Sequence, residues 1–503
     1  MIKLKKILME DIREKAAENF IKNIIKGTEW ENNVYIAGGA VRDELLGVSP
    51  KDLDLLIDAK DGGIKFAEWI TKKIGNYVEG SNPVTFPRFG TAKFNLNGIK
   101  FNGQDLTGFE IEAVMPRSEK YTSGSRKPEV QQTDLKADAE RRDLNINSLF
   151  KNISTGEILD LTGKGLEDLK NGIARTPIDP DKTFADDPLR MLRICRQSTK
   201  YKWKIPLEIL RSIKKNAHLI STISAERVQD ELNKILMTDS PQKGIKLLQI
   251  LDLNKYILPE FEKVVGMKQN KFHQYDVSRH TYEVLKNSNP DLISRISALF
   301  HDLGKGEVRT EKDGKIQFLG HENESEKIVR KVLKRLKYET AFINTVALAV
   351  RNHMRTKSFG KDAELVTDKS LRELMNDLGD KLDNVLNLVH ADNISHGDQE
   401  KNWPHNMPNQ VTGMRNRIAS LGNFGEPPIN GTDIKELIAK EDPSFNPNGN
   451  PLIGKLKAIL LDGFLSNPKM SKEEAEKMIL TAYRLIKKDS TQFKKFDPKS
   501  KKK

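Results

Sequence analysis

Asp52 and Asp54 stand two residues apart in the run Asp52-Leu53-Asp54-Leu55-Leu56-Ile57. Side chains alternate along a strand, so the two carboxylates project together while the residues between them turn away. Paired carboxylates repel unless a cation lies between them. Mg2+ suits an all-oxygen ligand set and leaves positions for phosphate oxygens. It can stabilise both the attacking and the leaving oxygen of a phosphoryl displacement. Solvated acids give the same D-x-D. Just upstream, Gly38-Gly39 ends the apolar run VYIA, and Val41-Arg42-Asp43 opens a helical stretch. Backbone N–H groups at such a turn, with Arg42, can hold phosphate. An ordinary strand-to-helix turn needing positive φ reads the same way.

Other clusters follow in order. FEIEAV places Glu110 and Glu112 on one strand face, beside a downstream Arg117. DAERRDLNINS carries Arg141, Arg142, Asp143 and Asn147; the arginines could grip a triphosphate or mark an exposed helix start. In FADDPLRMLRICRQ, Asp187 precedes Pro188, and Arg190, Arg193 and Arg196 recur every third residue. An N-cap and a solvated basic stripe account for that pattern too. Farther on, His280, the doublet His301-Asp302 and Asp392 lie on separate helical stretches. Imidazole and carboxylate converging from several helices suit a divalent transition metal. His321 and His353 extend the set toward a second ion, and Lys305 of HDLGKG could hold phosphate.

The combination GG-x-VRD-x-LLG followed by D-x-D resembles the signature of the class II tRNA nucleotidyltransferase and bacterial poly(A) polymerase family. The resemblance implies that Asp52 and Asp54 hold catalytic Mg2+, with Glu112 the acid nearest them. It implies that Gly38, Gly39, Arg42, Arg141, Arg142, Asp143 and Asn147 bind nucleotide. DLNINS stands where the family usually has Thr-Ile-Asn-Ala, with the arginines and Asn147 kept. DDPLR resembles the (E/D)D-x-x-R motif, in which Asp187 and Arg190 serve as a protein template for the base, with Arg193 near the nucleotide and Arg196 structural or RNA-facing. The chemistry is coherent. Cytosine and adenine each present an amino donor beside an unprotonated ring nitrogen, matching a carboxylate acceptor and a guanidinium donor. Uracil and guanine present the reverse. Gln197 replaces the family's aromatic residue after the last arginine, and Glu226-Arg227 resembles a structural motif.

H…HD…D is similar to the HD phosphohydrolase superfamily. An HD region behind such a head resembles the HD-containing bacterial CCA-adding enzymes and implies phosphatase and cyclic-phosphodiesterase activities, with an ion such as Ni2+, Mn2+ or Co2+. PPINGTDIKELI and NPLIGKLKAILL resemble the tail of these enzymes, interrupted by an apparent insertion, AKEDPSFNPNGN. The resemblance covers most of residues 33–486.

These residues must be positioned by elements legible in the periodicity. To about residue 152, β-rich runs (VYIAGG, DLDLLI, TAKFNL, FEIEAV) alternate with helical ones (IKFAEWITKKI). Beyond about 165 the pattern is almost wholly helical. The expected class is α+β: a nucleotidyltransferase-type head with a mixed β-sheet and helices, a mostly helical neck and body, and an all-helical HD domain. The expected divisions are 1–28, an N-terminal amphipathic helix (Ile12, Ala16, Phe20, Ile24); 29–152, the head; 153–262, the neck and body that read the nucleotide and bind RNA; 263–400, the HD domain; and 401–503, a helical C-terminal region with an unstructured basic tail. Proline, asparagine and glycine around 402–410 and 443–451 break the helical pattern.

The chain has 503 residues, 37% hydrophobic and 31% charged, which calls for several domains. Its net charge of +13 suits a polyanionic partner, although solvated lysine-rich faces give the same excess. One cysteine, Cys195, allows no internal disulfide and reads as a packed thiol in a reducing cytoplasm. The N-terminus lacks the apolar core of a signal peptide, and no run is long enough to span a membrane. The expected activity is template-independent addition of CCA from CTP and ATP to the 3′ end of tRNA, with the acceptor arm bound through its phosphates, by a monomer or homodimer. Rival readings are poly(A), CC-only or A-only addition, a metal-dependent phosphohydrolase whose head only positions RNA, and a non-catalytic RNA-binding protein.

Overall fold

The computed structural model describes residues 2–48, 53–75, 83–120, 129–269, 274–356, 366–396 and 409–488. Asp52, most of the 402–410 break and the basic tail lie outside them. The chain divides into two compact units: residues 1–265 with 290–295 and 331–339, and residues 266–289, 296–330 and 340–503.

The first unit holds a seven-stranded sheet. Its strands come from β1 (Val34–Ala37), β2 (Leu53–Ile57), β3 (Val84–Phe86), β4 (Thr91–Asn95), β7 (Glu110–Val114), β10 (Leu149–Asn152) and β11 (Ile158–Asp160). Short side hairpins use β5 (Lys100–Phe101) with β6 (Gln104–Asp105), and β8 (Arg117–Lys120) with β9 (Glu129–Gln132). The sheet order is β11-β10-β1-β2-β7-β4-β3. Only β2 and β7 pair in parallel; the other neighbours are antiparallel. The sheet thus continues past residue 152 through β11.

Strand β2 explains how an apolar run can present acids. Leu53, Leu55 and Ile57 enter the main core, where Phe66, Ala67, Ile70 and Ile74 of α3 (Gly62–Gly75) pack against them. Leu56 enters a smaller cluster on the opposite face with Ala37, Ala139 and Phe150. Asp54 shares the face of Leu56 but is exposed at its end.

Helix α1 (Ile2–Ile25) lies on the main core by a face wider than the expected line, with Ala16 of that line buried as well. Ala17, Ile21 and Ile25 are fully buried, Phe20 and Ile24 flank them, and Ile12 is 48% exposed. The i, i+4, i+8 line 17–21–25 sits one residue round the helix from 16–20–24.

Helices follow the sheet: α5 (Gly165–Asn171), α6 (Pro180–Asp186), α7 (Leu189–Tyr201), α8 (Leu207–Asn216) and α9 (Ala225–Leu236). Cys195 of α7 is buried, and burial pushes its thiol up to about 12, as a packed, unreactive thiol requires.

Among the described residues the second unit is helical with one hairpin, Thr310–Lys312 against Lys315–Gln317. Asp313 and Gly314 turn it, both at positive φ (52° and 70°), as a two-residue hairpin turn demands. Near its end, helices Gly431–Glu441, Pro451–Ser466 and Lys472–Lys488 enclose a separate apolar core that includes Ile434, Leu456, Phe464 and Ile479.

Candidate active site and candidate metal centre

In the first unit a cleft of about 490 Å³ gathers the motif residues of the head and the neck. Gly38, Gly39, Arg42, Asp54, Glu112, Arg141, Arg142, Asp143, Asn147, Asp187, Arg190, Arg193 and Arg196 all line it. Of the head and neck residues expected at a site, Asp52 alone has no described position. Ala37, Val114, Arg117, Gln197 and Arg227 complete the lining.

The acidic wall is a matter of register. Asp54 on β2 pairs with Glu112 on β7, and Glu112 with Lys93 on β4. Three adjacent strands therefore set Asp54, Glu112 and Lys93 in one row on one face. Lys93 Nζ lies 2.7 Å from Glu110 and 3.8 Å from Glu112. Its hydrogen bond to Glu110, with the nearby charges of Glu112 and Asp54, raises its pKa. Exposed oxygens from Asp54 and Glu112, with no nitrogen or sulfur donor in the row besides the lysine, fit a hard ion such as Mg2+.

The basic wall rests on a relay of side chains. Gly38 turns the chain out of β1 at φ +70°, and a Cβ there would stand 2.8 Å from Arg142. Glycine answers both demands. Helix α2 (Gly39–Leu45) then carries Arg42, whose Nη1 donates to Asn147 Oδ1 at 2.7 Å. Asn147 Nδ2 donates to Asp143 Oδ1 at 2.8 Å, and Asp143 Oδ2 accepts from Arg193 Nε at 2.7 Å. An amide suits this place, because its oxygen accepts at one end while its nitrogen donates at the other. Burial alone would raise Asp143, but Arg193, Asn147 and Arg190 hold it well below the usual carboxylate range. Tyr201, at the far end of α7, donates to Asp43 at 2.8 Å, and the Arg42 guanidinium lies 5.0 Å from its ring centre.

Asp138 was not singled out from the sequence. It is fully buried in α4 (Leu135–Glu140) and accepts from Arg141 Nη2 (2.6 Å), Arg142 Nε (3.0 Å) and the Arg117 backbone N–H (3.1 Å). One carboxylate thereby aims both arginines of the RRD run. Burial would raise it; Arg142 and Arg141 outweigh that and lower it. The signal was available, because Arg141 and Arg142 stand three and four residues beyond Asp138, at the end of a short helical turn.

Asp187 sits between α6 and α7. Its Oδ1 accepts from Leu189 N at 3.2 Å, the role of a helix cap, and its Oδ2 accepts from Arg227 Nη2 at 2.8 Å. Arg227 therefore lines the cleft and braces the acid expected to read the base. Arg190 is buried and donates to Thr183 O at 3.2 Å. Arg196 is held by the buried Glu231 of α9 at 2.7 Å. Gln197, in place of an aromatic residue, leaves its Oε1 buried without a hydrogen-bond partner. Eight arginines (42, 117, 141, 142, 190, 193, 196, 227) face four acids across the cleft, so it is built for a polyanion.

The second unit brings the expected histidines and aspartates into one buried cluster. His280 Nε2 lies 3.0 Å from Asp392 and 3.7 Å from Asp302. His301 Nε2 lies 3.3 Å from Asp302 Oδ2, and His321 Nε2 3.2 Å from Asp302 Oδ1. His353 completes that side at 3.9 Å. Gly304 permits the packing: a Cβ there would meet the His321 carbonyl at 2.1 Å. Each ring turns Nδ1 to a backbone carbonyl: His280 to Ser395 (3.4 Å), His301 to Ala298 (2.8 Å), His321 to Phe318 (2.9 Å) and His353 to Val350 (2.6 Å). That fixes the tautomer and aims each Nε2 lone pair inward, as metal-ligating histidines require. Burial pushes His280 down and His353 well down, toward the neutral form that can ligate. His353 Nε2 is buried with no hydrogen-bond partner. These residues fit a divalent transition metal. Lys305 Nζ is buried against Asp302 Oδ2 and Gln269 Oε1, each at 2.7 Å, rather than solvated. A fifth histidine, His396, joins the cluster unannounced by the motif.

Comparison with known proteins agrees with this division. Residues 34–175 match the family model of the Poly A polymerase head domain, 203–264 that of the probable RNA and SrmB-binding site of polymerase A, and 273–385 the HD domain. The chain is 34% identical over 262 residues to the mitochondrial CCA tRNA nucleotidyltransferase of Saccharomyces cerevisiae, covering 49% of this chain and 46% of that protein. It is 30% identical over 335 residues to the multifunctional CCA protein of Actinobacillus pleuropneumoniae, covering 64% of this chain and 75% of that protein. The chain thus spans about half the length of the fungal relatives and three quarters of the bacterial one. In fold it is similar to the Bacillus stearothermophilus CCA-adding enzyme in complex with CTP, with a TM-score of 0.63 and 19% identity, covering 95% and 99% of the two chains. The Thermotoga maritima CCA-adding enzyme complexed with tRNA gives a TM-score of 0.53 at 20% identity, covering 90% and 91%.

Proposed function

This chain belongs to the CCA-adding tRNA nucleotidyltransferase family, and we propose that it adds CCA to the 3′ end of tRNA from CTP and ATP without a template. One observation carries the reading. Asp54 and Glu112, the arginines Arg42, Arg141 and Arg142, and the pair Asp187 and Arg190 line a single cleft, as a metal site, a triphosphate grip and a base reader would have to. A site with the first two alone would transfer any nucleotide.

In this reading Asp52 and Asp54 hold Mg2+, with Glu112 beside them. Bound there, the ion supplies charge neutralisation at the phosphorus and a lowered pKa for the attacking 3′-hydroxyl. Arg42, Arg141 and Arg142 grip the triphosphate, held in aim by Asn147 and Asp138. The tRNA 3′-oxygen bonds to the α-phosphorus as the bond to pyrophosphate breaks. Asp187 accepts from the amino group of cytosine or adenine, and Arg190 donates to the adjacent ring nitrogen. The net charge of +13 supports tRNA binding through phosphates. No helix among the described residues is long and apolar enough to cross a membrane, and the single buried cysteine suits a reducing cytoplasm.

The histidine cluster favours a second activity, hydrolysis of a phosphoester. His280, His301, Asp302 and Asp392 would hold a divalent transition metal such as Ni2+, Mn2+ or Co2+, with His321 and His353 toward a second ion. Such an ion supplies Lewis acidity and a lowered water pKa. Lys305, beside Asp302, offers a cation to the phosphate. Transfer of label from α-labelled CTP to a tRNA lacking its terminal CCA tests the main proposal. Asp54→Ala should abolish it and His301→Ala should not; the opposite pattern would favour a phosphohydrolase with an RNA-positioning head.

A further inference from the structure

The H…HD…D pattern ends at Asp392, and His396 lies one helical turn beyond it. We propose that His396 is an additional metal ligand of this cluster, sharing an ion with His280 and Asp392. The inference rests on reading the cluster as a metal centre, and adds to that reading a donor that the motif does not contain.

The geometry matches the four histidines already placed there. His396 is 5% exposed. Its Nδ1 donates to the Asp392 carbonyl at 2.8 Å, so the proton resides on Nδ1 and Nε2 keeps its lone pair. Nε2 lies 3.9 Å from Asp392 Oδ1, and the ring centre lies 5.0 Å from that of His280. Donor atoms of His280, Asp392 and His396 all fall within 4.8 Å of one another, the spacing of groups that can reach one ion. The same bond caps a carbonyl at the helix end, and it leaves Nε2 turned toward His280 and Asp392, inward as in the four neighbours.

The consequence is chemical. Asp302, His321 and His353 form a second set at the other end of the cluster, reached through Asp302 Oδ1. His396 enriches the His280 end in imidazole. More nitrogen donors favour borderline ions such as Co2+, Ni2+ or Zn2+ over Mg2+.

The test uses the metal-depleted full-length chain titrated with Co2+ and followed by visible absorption. His396→Asn keeps an N–H donor near the Nδ1 position and removes Nε2. The proposal expects wild type to bind Co2+ and H396N to bind one equivalent at least tenfold more weakly, with an altered visible band. Equal affinity and an unchanged band in H396N would overturn the role of His396 alone. No Co2+ uptake by wild type would overturn the metal centre and the proposal together. Should H396N melt at markedly lower temperature, wild-type crystals soaked in Co2+ decide. The anomalous peak should lie about 2.1 Å from His396 Nε2, the usual imidazole distance on such ions. A peak on His280 and Asp392 but beyond reach of that nitrogen overturns the proposal.

Discussion

At the scale of single residues, the first-unit cleft depends on groups that hold the arginines as much as on the arginines. Asp138 binds Arg141 and Arg142 from full burial. Removing one member of such a buried ion-pair network costs about 3–5 kcal/mol. Asp138→Asn should therefore lower the melting temperature and raise KM for both CTP and ATP, because both nucleotides share the triphosphate grip. A KM change confined to one nucleotide would contradict this placement. Arg227 braces Asp187 at 2.8 Å. Loss of a charged hydrogen bond is worth roughly 1.5–3 kcal/mol, about 10- to 150-fold in rate. Arg227→Ala should cost activity in that range and admit more UTP and GTP, measured by competition among the four nucleotides. Asp143 sets a pH test. Its pKa is lowered in the folded chain, so its contribution to stability is present above the unfolded value of about 3.9 and disappears as pH falls through the lower folded value. The melting-temperature gap between wild type and Asp143→Asn should be constant above about pH 5 and close progressively as pH falls below it.

At the scale of elements, strand register makes the acidic wall, and the junction before helix α7 and its first turn bring Asp187 and Arg190 to the cleft. Lys93 enters only because β4 pairs with β7 in a register that sets it opposite Glu112. No local pattern reveals that, since the partners are nearly twenty residues apart and the pairing depends on the whole sheet. Lys93→Met should lower the Mg2+ concentration needed for half-maximal CCA addition, because the lysine neutralises the row that the ion must enter. An increased Mg2+ requirement would contradict it. Helix α7 carries Arg190 and Arg193 near its start and Tyr201 at its end, where Tyr201 holds Asp43 beside Arg42. The motif residues were legible because their spacing is local and their chemistry narrow. Asp138 is legible in the same way, three and four residues ahead of Arg141 and Arg142. The Asp313-Gly314 hairpin was likewise written in the sequence, as an Asp-Gly pair between short alternating runs. The width of the buried face of α1 could not be fixed, because alanine and isoleucine lie on adjacent lines and packing buries 17–21–25 fully while 16, 20 and 24 flank it. His396 lacked any signal of its own, since a lone histidine after a motif is usually packing.

At the scale of the whole molecule, two units gather two different sets of polar side chains. The first gathers carboxylates and arginines, Asp187 and Arg190 among them; the second gathers imidazoles and aspartates, a donor set suited to different ions. The excess of lysine and arginine belongs to the RNA-binding account, and tRNA affinity should fall steeply as salt rises, by roughly 0.7–0.9 in log K per log salt for each phosphate contacted. The central claim is that one cleft both transfers nucleotides and selects them. The most direct measurement offers wild type a tRNA ending before CCA, with CTP, ATP, UTP and GTP together, and sequences the added 3′ tails. The account predicts tails that stop at CCA, and tails that admit uridine or guanosine once Asp187 is replaced by Ala. Long adenosine tails, tails of mixed sequence from the wild-type chain, or no tail at all would contradict it.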